Sequence, residues 1–275
     1  MQILIIHQNF PGQYKHLAPA LVEQGHQVLS LTPKVEKRTV WKDVQLLPYK
    51  IARASSKDVH PWLADLVTKV IRAGACYRKA LAWKEKGLNP DVILAHHGWG
   101  EPMFLKDVWP DAKMGIYCEL YHLDSGDSVN FDPEFETKDL RSNALRLRLR
   151  NLNNSLHFDA ADAGISPTEF QASTFPEPFR TDISVIHDGI DTELVKPNPD
   201  AVLKISDDLS LTRDDEVITF INRNLEPYRG YHALMRALPK LLKARPNAQV
   251  VLLGGGRSQL RFQTASGQNV EANLH

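Results

Sequence analysis

Short apolar segments alternate with longer segments of helical periodicity along most of the chain, and this alternation limits the fold more than any other feature. Continuous apolar runs such as residues 92–94 and 250–253 are typical of parallel strands that are covered on both faces. Apolar residues recur at helical spacing in residues 63–71 and 231–242. This strand–helix–strand repetition predicts an α/β fold with a doubly wound parallel sheet and right-handed crossovers.

The predicted elements follow from these patterns. The strands are expected at residues 2–6, 26–31, 44–49, 91–95, 113–118, 161–165, 183–186, 217–221 and 248–253. The clearest helices are expected at residues 14–22, 63–71, 138–156 and 231–242. Pro19 lies inside the first of these helices and is expected to kink it, because proline removes a backbone hydrogen bond.

The charge balance excludes a partner bound mainly by electrostatic attraction. The 275 residues include 33 Lys+Arg and 33 Asp+Glu, so the formal net charge is zero, which argues against nucleic acid as a partner. No apolar run approaches the roughly 18–20 residues of a membrane span, and residues 3–6 are too short for a signal-peptide core, so we expect a cytoplasmic protein. Cys76 and Cys118 form no CxxC pattern, which indicates no metal cluster.

The predicted domain organisation has an unusually short second part. Residues 1–195 are long enough for a core of their own, and the Pro-, Asp- and Asn-rich residues 196–215 are expected to be a linker. Residues 216–256 begin a second βα series. Residues 257–275 show no helical or alternating pattern, so we expect a disordered tail.

The most distinctive motif is the loop at residues 222–230, directly after the strand predicted at residues 217–221. Arg223 and Arg229 flank this loop, and Gly230 ends it. Ligands of α/β proteins bind at the carboxyl edge of the sheet, and a guanidinium group suits a pyrophosphate. The alternative is that both arginines are solvated loop residues. A dinucleotide fingerprint is absent from the first strand–helix turn, where Gly12 is the single glycine.

Several segments together resemble family 4 glycosyltransferases, which have the GT-B fold of two Rossmann-like domains. The loop at 222–230, its following helix and residues 246–254 are similar to the donor-binding half of that family. The resemblance extends to the opening βα unit, the central strand and the hinge motif of the family, at residues 11–18, 25–28, 91–96 and 186–191. It therefore implies a complete N-terminal, acceptor-side Rossmann-like domain and the start of a donor-binding domain.

The resemblance also implies the donor site and the chemistry. Arg223 and Arg229 match the family's basic residues that hold the donor diphosphate, Gly230 belongs to the same motif, and Gly12 matches the glycine that faces the donor phosphate. The implied reaction is transfer of a sugar from a nucleotide-diphosphate sugar, with retention, to a glycan, a lipid or a small molecule. The nucleotide sugar is a co-substrate, and neither a cofactor nor a bound metal is implied.

The acceptor side is expected at the segment after residues 91–95. His97 or Glu101 is a candidate to orient or deprotonate an acceptor hydroxyl, with Trp99 beside them. The alternative is that the histidine caps a turn and the tryptophan packs beneath it. A second candidate wall consists of Glu119, Tyr121 and His122.

Two questions stay open at this level. The arginines of the helix predicted at 138–156 either contact an anionic acceptor or membrane surface, or form a solvated face. Family members continue beyond the point where the resemblance stops, which predicts a C-terminally truncated enzyme or a single inserted nucleotide near codon 256. The alternative function is a non-catalytic acceptor-domain remnant.

Overall fold

In a computed structural model, the chain divides into two compact units. The structure describes residues 1–52, 54–55, 58–124, 132–135 and 139–255, together with the backbone of 259–263 and 269–273. The first unit runs from Met1 to Gly189 except for Asp132–Phe135, and the second unit comprises that short segment and the chain from Ile190 onward.

The first unit is built on an eight-stranded sheet. Its strands are β1 (Gln2–Ile6), β2 (Gln27–Thr32), β3 (Thr39–Trp41), β4 (Val44–Pro48), β5 (Val92–Ala95), β6 (Lys113–Tyr117), β7 (Ala163–Ser166) and β8 (Ile183–Val185). They lie in the order β3-β4-β2-β1-β5-β6-β7-β8, and all neighbouring pairs are parallel except β3 and β4. The predicted parallel sheet is therefore confirmed.

Both faces of this sheet are covered, as the continuous apolar runs predict. Leu4 and Ile6 of β1 belong to one core cluster, whereas Ile3 and Ile5 belong to a cluster on the opposite face. All four side chains are buried because successive strand residues point to opposite faces and each face carries helices. The central strand thus has no solvated side.

The helices cover the sheet and follow the predicted pattern. They are α1 (Leu17–Glu23), α2 (Ala64–Lys84), α3 (Leu105–Val108), α4 (Leu140–Arg150), α5 (Leu152–Phe158) and α6 (Glu169–Ser173). The helix predicted at 138–156 is interrupted at Asn151. Pro19 lies at the third position of α1, where a backbone N–H has no intrahelical partner, so the proline removes no helical bond from α1.

The second unit has its own sheet. Its strands are β9 (Leu203–Lys204), β10 (Ser210–Leu211), β11 (Val217–Ile221), β12 (Gln249–Leu253), β13 (Gln259–Gln263) and β14 (Asn269–Asn273), and its helix is α7 (Tyr231–Ala244). β11 and β12 are parallel and joined by α7, while β13 and β14 continue the sheet in antiparallel order. This βαβ arrangement is the one predicted for the start of a second Rossmann-like domain.

Two segments differ from their predicted organisation. The segment expected to be a linker carries the β9–β10 hairpin, and its Ile205 and Leu211 pack with Val251 in a core cluster of the second unit. The segment expected to lack regular structure contains β13 and β14, whose backbones pair with each other. β9 and β10 have two residues each, too few to show a pattern, whereas the sequences of β13 and β14, QLRFQ and NVEAN, do alternate polar and apolar residues, so the expectation of a patternless tail is wrong there. The inserted nucleotide stays a prediction.

Within the part of the chain that the structure describes, no helix combines the length and the apolar character that crossing a bilayer demands.

Candidate functional site

Polar side chains collect at the carboxyl edge of the first sheet because four parallel strands end there. His7 follows β1, His96 follows β5, Glu119 comes shortly after β6, and Asp188 comes shortly after β8. His96 Nε2 lies 3.1 Å from Glu119 Oε2. The Tyr117 hydroxyl donates to Asp188, at 3.0 Å from each carboxylate oxygen. Open α/β sheets bind ligands at this edge, so it is the candidate site of the first unit.

His7 is fixed in one orientation and one tautomer. Its Nδ1 accepts a hydrogen bond of 3.0 Å from the backbone N–H of Asn9, so Nε2 carries the proton and donates to Gln13 Oε1 at 2.6 Å. Burial lowers the pKa of His7 to about 4, which keeps the ring neutral at pH 7.

Gly12, the predicted phosphate-facing glycine, lies directly against this ring. A Cβ at position 12 would come within 2.1 Å of His7 Cε1, and the backbone there has a φ of +46°. Only glycine fits both the left-handed conformation and the close approach. The structure therefore gives Gly12 a packing role at His7 in addition to its predicted role at the donor phosphate.

His96 holds Glu119 at the edge of the sheet. The backbone N–H of Gly98 donates to Nδ1 of His96, so the proton on Nε2 points at the Glu119 carboxylate. The His96 ring stacks on Trp99 at 4.2 Å and on Tyr117 at 5.2 Å between ring centroids. The Glu119 side chain is 56% exposed although its partner is buried, so this carboxylate faces solvent from a rigid support.

His97, a predicted catalytic residue, lies in the interior. Its Nδ1 lies 3.1 Å from the Tyr117 carbonyl oxygen and its Nε2 lies 2.8 Å from Asn154 Oδ1. Burial, with the neighbouring His157, holds the pKa of His97 well below its usual range, and a neutral ring donates to one of these two acceptors. Since both nitrogens face protein atoms and the residue is 2% exposed, the geometry favours a positioning role over contact with an acceptor.

The orientation of Asn154 is itself fixed by the chain. Asn151 accepts from the backbone N–H of His122 and donates to its carbonyl oxygen, so the amide of Asn151 has one possible orientation. Its oxygen then accepts from Asn154 Nδ2 at 3.1 Å, which leaves the Asn154 oxygen for His97. The turn that carries Trp99 is thereby tied to α5.

Glu101, the other predicted catalytic residue, is also buried. Its Oε1 accepts from the Tyr49 hydroxyl at 3.2 Å and lies 3.4 Å from Arg72 Nη1 of α2. Burial raises the pKa of Glu101. At 1% exposure and in contact with α2, this carboxylate has no open path to an acceptor, and the structure does not bring it together with Glu119.

The predicted acceptor-side residues separate into two groups. Trp99 and Glu119 meet at His96, as described above. Tyr121 and His122 instead line a cavity of about 170 Å³, together with residues of α4. Burial, together with nearby Arg150, lowers the pKa of His122 to about 4, so this imidazole is neutral at pH 7.

The second unit presents the predicted donor loop at the N-terminus of α7. Gly230 is the N-cap of α7 with a φ of +79°, and the short 3₁₀ helix Pro227–Arg229 precedes it. Arg229 Nε donates to Glu226 Oε1 at 2.8 Å, and its guanidinium lies 5.3 Å from the Tyr228 ring centroid. Among the described residues, Arg223 has no carboxylate partner, and its side chain is exposed. Arg223, Gly230 and Arg229 therefore lie on one loop at a helix N-terminus.

The start of this loop is fixed by a close approach to the strand β12. A Cβ on Gly254 would come within 2.4 Å of the carbonyl oxygen of Asn222, and the Gly255 N–H donates to the Arg223 carbonyl at 3.2 Å. The glycines after β12 thus support the loop that carries the arginines.

One group of described residues has metal-ligand geometry, and it lies in the second unit. Asp132, Glu134 and His232 each offer a ligand atom, all within 4.8 Å of one another. Both oxygens of Glu134 already accept from the Arg236 guanidinium, however, and His232 lies 3.2 Å from Asp132 Oδ2. A guanidinium paired with one of the three ligands disfavours a cation here.

Sequence reasoning did not single out His7 and His96 as site residues. The available signal was their position: each is the first residue after a buried parallel strand, where side chains reach the carboxyl edge of the sheet.

Comparison with known proteins identifies a family that matches most of the first unit. The model of a glycosyl transferase family 4 group matches residues 24–195, which is more than half of the chain. A relative of known function is the GDP-mannose-dependent alpha-(1-6)-phosphatidylinositol monomannoside mannosyltransferase of Mycolicibacterium smegmatis. It is 30% identical over 113 residues, which are 40% of this chain and 28% of that protein. The chain thus matches less than a third of this relative's length.

Solved structures agree on the fold. The catalytic domain of starch synthase IV from Arabidopsis thaliana, bound to ADP and acarbose, has a TM-score of 0.58 at 15% identity, covering 92% of this chain and 68% of that one. Os79 from O. sativa in complex with UDP has a TM-score of 0.50 at 8% identity, covering 92% of this chain and 76% of that one.

Proposed function

The chain belongs to the glycosyl transferase family 4 group, with a GT-B-like α/β fold, and from that premise we propose that it acts in the transfer of a sugar from a nucleotide-diphosphate sugar to a hydroxyl acceptor. In this reaction the bond between the sugar C1 and the diphosphate oxygen breaks, and the diphosphate leaves with the electron pair. The acceptor oxygen bonds to C1 and loses its proton. The proposal includes retention of configuration at C1.

The observation that carries the proposal is the loop between β11 and α7. Two arginines and the first-turn amides of a 14-residue helix lie together at the carboxyl end of a parallel strand. Helix N-termini attract anions, and arginine forks match phosphate oxygens. Arg223 and Arg229 would bind the diphosphate and stabilise the charge that develops as it leaves, an effect of about 2.7–4 kcal/mol per donor in other enzymes.

On the acceptor side we assign the leading role to Glu119. Its carboxylate is exposed at the sheet edge, and the N–H of buried His96 fixes one of its oxygens. That hydrogen bond orients the carboxylate, which can accept a hydrogen bond from an acceptor hydroxyl. Trp99 stacks on the same histidine and offers an apolar surface to a sugar ring. His97 and Glu101 position the turn that carries Trp99 from the interior of the first unit.

The comparisons suggest which nucleotides to try. The solved relatives hold ADP or UDP, and the curated relative is GDP-mannose-dependent. Its acceptor, a phosphatidylinositol monomannoside, makes a lipid-linked acceptor one option for this chain beside a glycan or a small molecule.

Calorimetric titration tests the donor assignment. UDP, GDP and ADP are each titrated into the full chain, beside the matching nucleosides. We expect at least one diphosphate to bind and its nucleoside to bind at least about tenfold more weakly. Arg223→Ala should weaken the diphosphate by about tenfold, whereas Arg213→Ala, an exposed arginine outside the loop, should leave it unchanged. A folded chain that binds none of the three favours the non-catalytic remnant.

A further inference from the structure

Helices α4 and α5 form an almost continuous rod whose inward face is polar. Asn151, between them, keeps helical dihedrals, with φ −72° and ψ −11°. The side chains that this rod buries against the first unit are largely polar, namely Asn151, Asn153, Asn154 and His157 beside Leu147. The buried amides and the buried imidazole take up the interior contacts described above, including those to His97 and His122.

The outward face of the same rod is apolar. Leu145, Leu149, Leu152 and Leu156 follow one another at intervals of four, three and four residues, which places them on one side of a helix. Leu145, Leu152 and Leu156 are 45%, 42% and 52% exposed. We name these four residues the leucine face. A soluble helix normally buries its leucines and exposes its amides, and this rod does the opposite.

Positive charge borders the leucine face. Arg141, Arg146 and Arg148 are exposed on α4, and the stretch from Leu140 to Phe158 contains no acidic residue. Arg150 at the end of α4 faces Asp65 of α2 at 3.7 Å, and Asp65 also binds Lys69 at 2.8 Å. Because the whole chain has zero net charge, this is a local concentration of cations.

We propose that the leucine face docks on an anionic lipid bilayer. A surface-lying amphipathic helix inserts its leucines among the acyl chains while arginines bind the headgroup phosphates. Arginine also extends its charged end away from an apolar surface that its methylene groups cover. A neutral peptide-binding groove would not need the bordering charges, so charge complementarity selects the anionic bilayer.

Vesicle sedimentation tests this proposal. The full chain is mixed with phosphatidylcholine vesicles or with vesicles that also contain phosphatidylglycerol. We expect the chain to bind the anionic vesicles at least about tenfold more tightly than the neutral ones, since each bordering arginine contributes about fivefold to the affinity. Raising the salt concentration should weaken it as well.

Two variants with matched controls locate the contact. Combining Leu145→Gln, Leu152→Gln and Leu156→Gln should abolish vesicle binding, and Arg141→Glu with Arg146→Glu should reduce it by about tenfold or more. The controls carry comparable changes, apolar to glutamine and basic to glutamate, on exposed residues of the second unit. They are Leu194→Gln with Val202→Gln, and Arg213→Glu with Lys240→Glu. Circular dichroism and the thermal midpoint confirm that each variant is folded.

Three outcomes would overturn the proposal. The first is absence of binding to anionic vesicles by the folded wild-type chain. The second is equal loss of binding in the variants and in their controls. The third is a wild-type dimer, measured by light scattering, that dissociates when the leucines are replaced and does not bind vesicles, because the leucine face would then hold a second copy of the chain. None of these results depends on nucleotide binding, so this test is separate from that of the proposed transfer.

Discussion

Each of the two units carries a candidate site, and the two sites achieve fixed geometry by opposite physical means. At the edge of the first sheet, His7 and His96 are buried, aromatic rings enclose them, and single hydrogen bonds set their tautomers. On the loop of the second unit, Arg223 and Arg229 are exposed, and the one with a partner is held by Glu226 through an ion pair. The geometry at the edge of the first sheet depends on desolvation and packing, whereas the geometry of the donor loop depends on charges in contact with water.

This difference has consequences that can be measured. A buried neutral group such as His7 is sensitive to protons and to added volume, and salt affects it little. A site of exposed charges responds to salt and to single charge changes, and tolerates added volume. The four predictions below test this contrast, beginning with the largest expected effect.

Acidification should destabilise the first unit and leave the second nearly unchanged. Burial lowers the pKa of His7, His122 and His157 to about 4, while the unfolded chain titrates near 6.5. Between these values the unfolded state binds more protons, so stability is fully present above about pH 6.5 and is lost as the pH falls toward 4. Urea unfolding should show a loss of about 4 kcal/mol between pH 7.5 and 5, with about 1–2 kcal/mol per histidine.

The control is a variant that lacks one of these protonation sites. His157→Gln should lower by about one the number of protons that the chain takes up on unfolding, which is read from the slope of the free energy of unfolding against pH. The reason is that His157 is almost fully buried and its Nε2 has no partner among the described residues. In the second unit the described residues include one histidine, His232, so its unfolding should vary little over this range. Equal pH dependence of wild type and variant would show that the pKa of His157 is not lowered in the folded state.

Added volume at His7 should be the next largest effect. Gly12→Ala places a methyl group 2.1 Å from His7 Cε1, whereas Gly25→Ala meets nothing within 4 Å, and both glycines have a positive φ. The left-handed backbone alone costs about 1–2 kcal/mol for alanine. We expect about 1 kcal/mol for Gly25→Ala and about 3 kcal/mol for Gly12→Ala, measured as free energy of unfolding. Similar losses in both would mean that the His7 ring moves aside freely.

Sequence reasoning predicted the fold well because periodicity reports burial directly. The nine expected strands all exist, and the largest omissions are β3, the β9–β10 hairpin and the β13–β14 pair. β3, β9 and β10 have only two or three residues, too few for a local pattern to show, whereas β13 and β14 alternate polar and apolar residues and could have been found from that alternation. Ile205 and Leu211 join the second core through a hairpin that composition alone reads as a linker.

The site was predicted less completely because position along the chain does not determine which way a side chain faces. His96 and His97 are adjacent, yet His96 holds the exposed Glu119 and His97 is enclosed by Tyr117 and Asn154. The partner that fixes His97 lies 57 residues later, on α5. Distant partners of this kind can be found only when the fold is known.

Salt should weaken diphosphate binding without changing the pKa of His7 at the edge of the first sheet. Since the donor loop presents exposed guanidinium groups, raising the salt from about 0.05 to 0.5 M should lower affinity for the best-binding nucleoside diphosphate by about tenfold. The pKa of His7, followed by NMR, should stay near 4 over the same range because the ring is buried. A large shift of this pKa with salt would show that His7 is accessible to ions.

The smallest expected effect is a gain in affinity when Glu226 is neutralised. Its carboxylate binds Arg229 at 2.8 Å and would compete with a diphosphate for the same guanidinium. Glu226→Gln should therefore tighten diphosphate binding by up to about fivefold at low salt, since exposed ion pairs are weak. Glu193→Gln is the control, because Glu193 forms an ion pair of the same i,i+3 spacing with Lys196 at 3.2 Å, more exposed and outside the donor loop.

If affinity falls in Glu226→Gln and not in the control, Glu226 is required to orient Arg229, and the ion pair is part of the binding geometry. The donor loop would then be preorganised in the same sense as the edge of the first sheet. In the loop, Glu226 would fix the Arg229 guanidinium as His96 fixes Glu119. A gain in affinity would instead mean that water and ligand compete openly for the arginines. The contrast between a desolvated sheet edge in the first unit and a solvated donor loop in the second unit depends on that result.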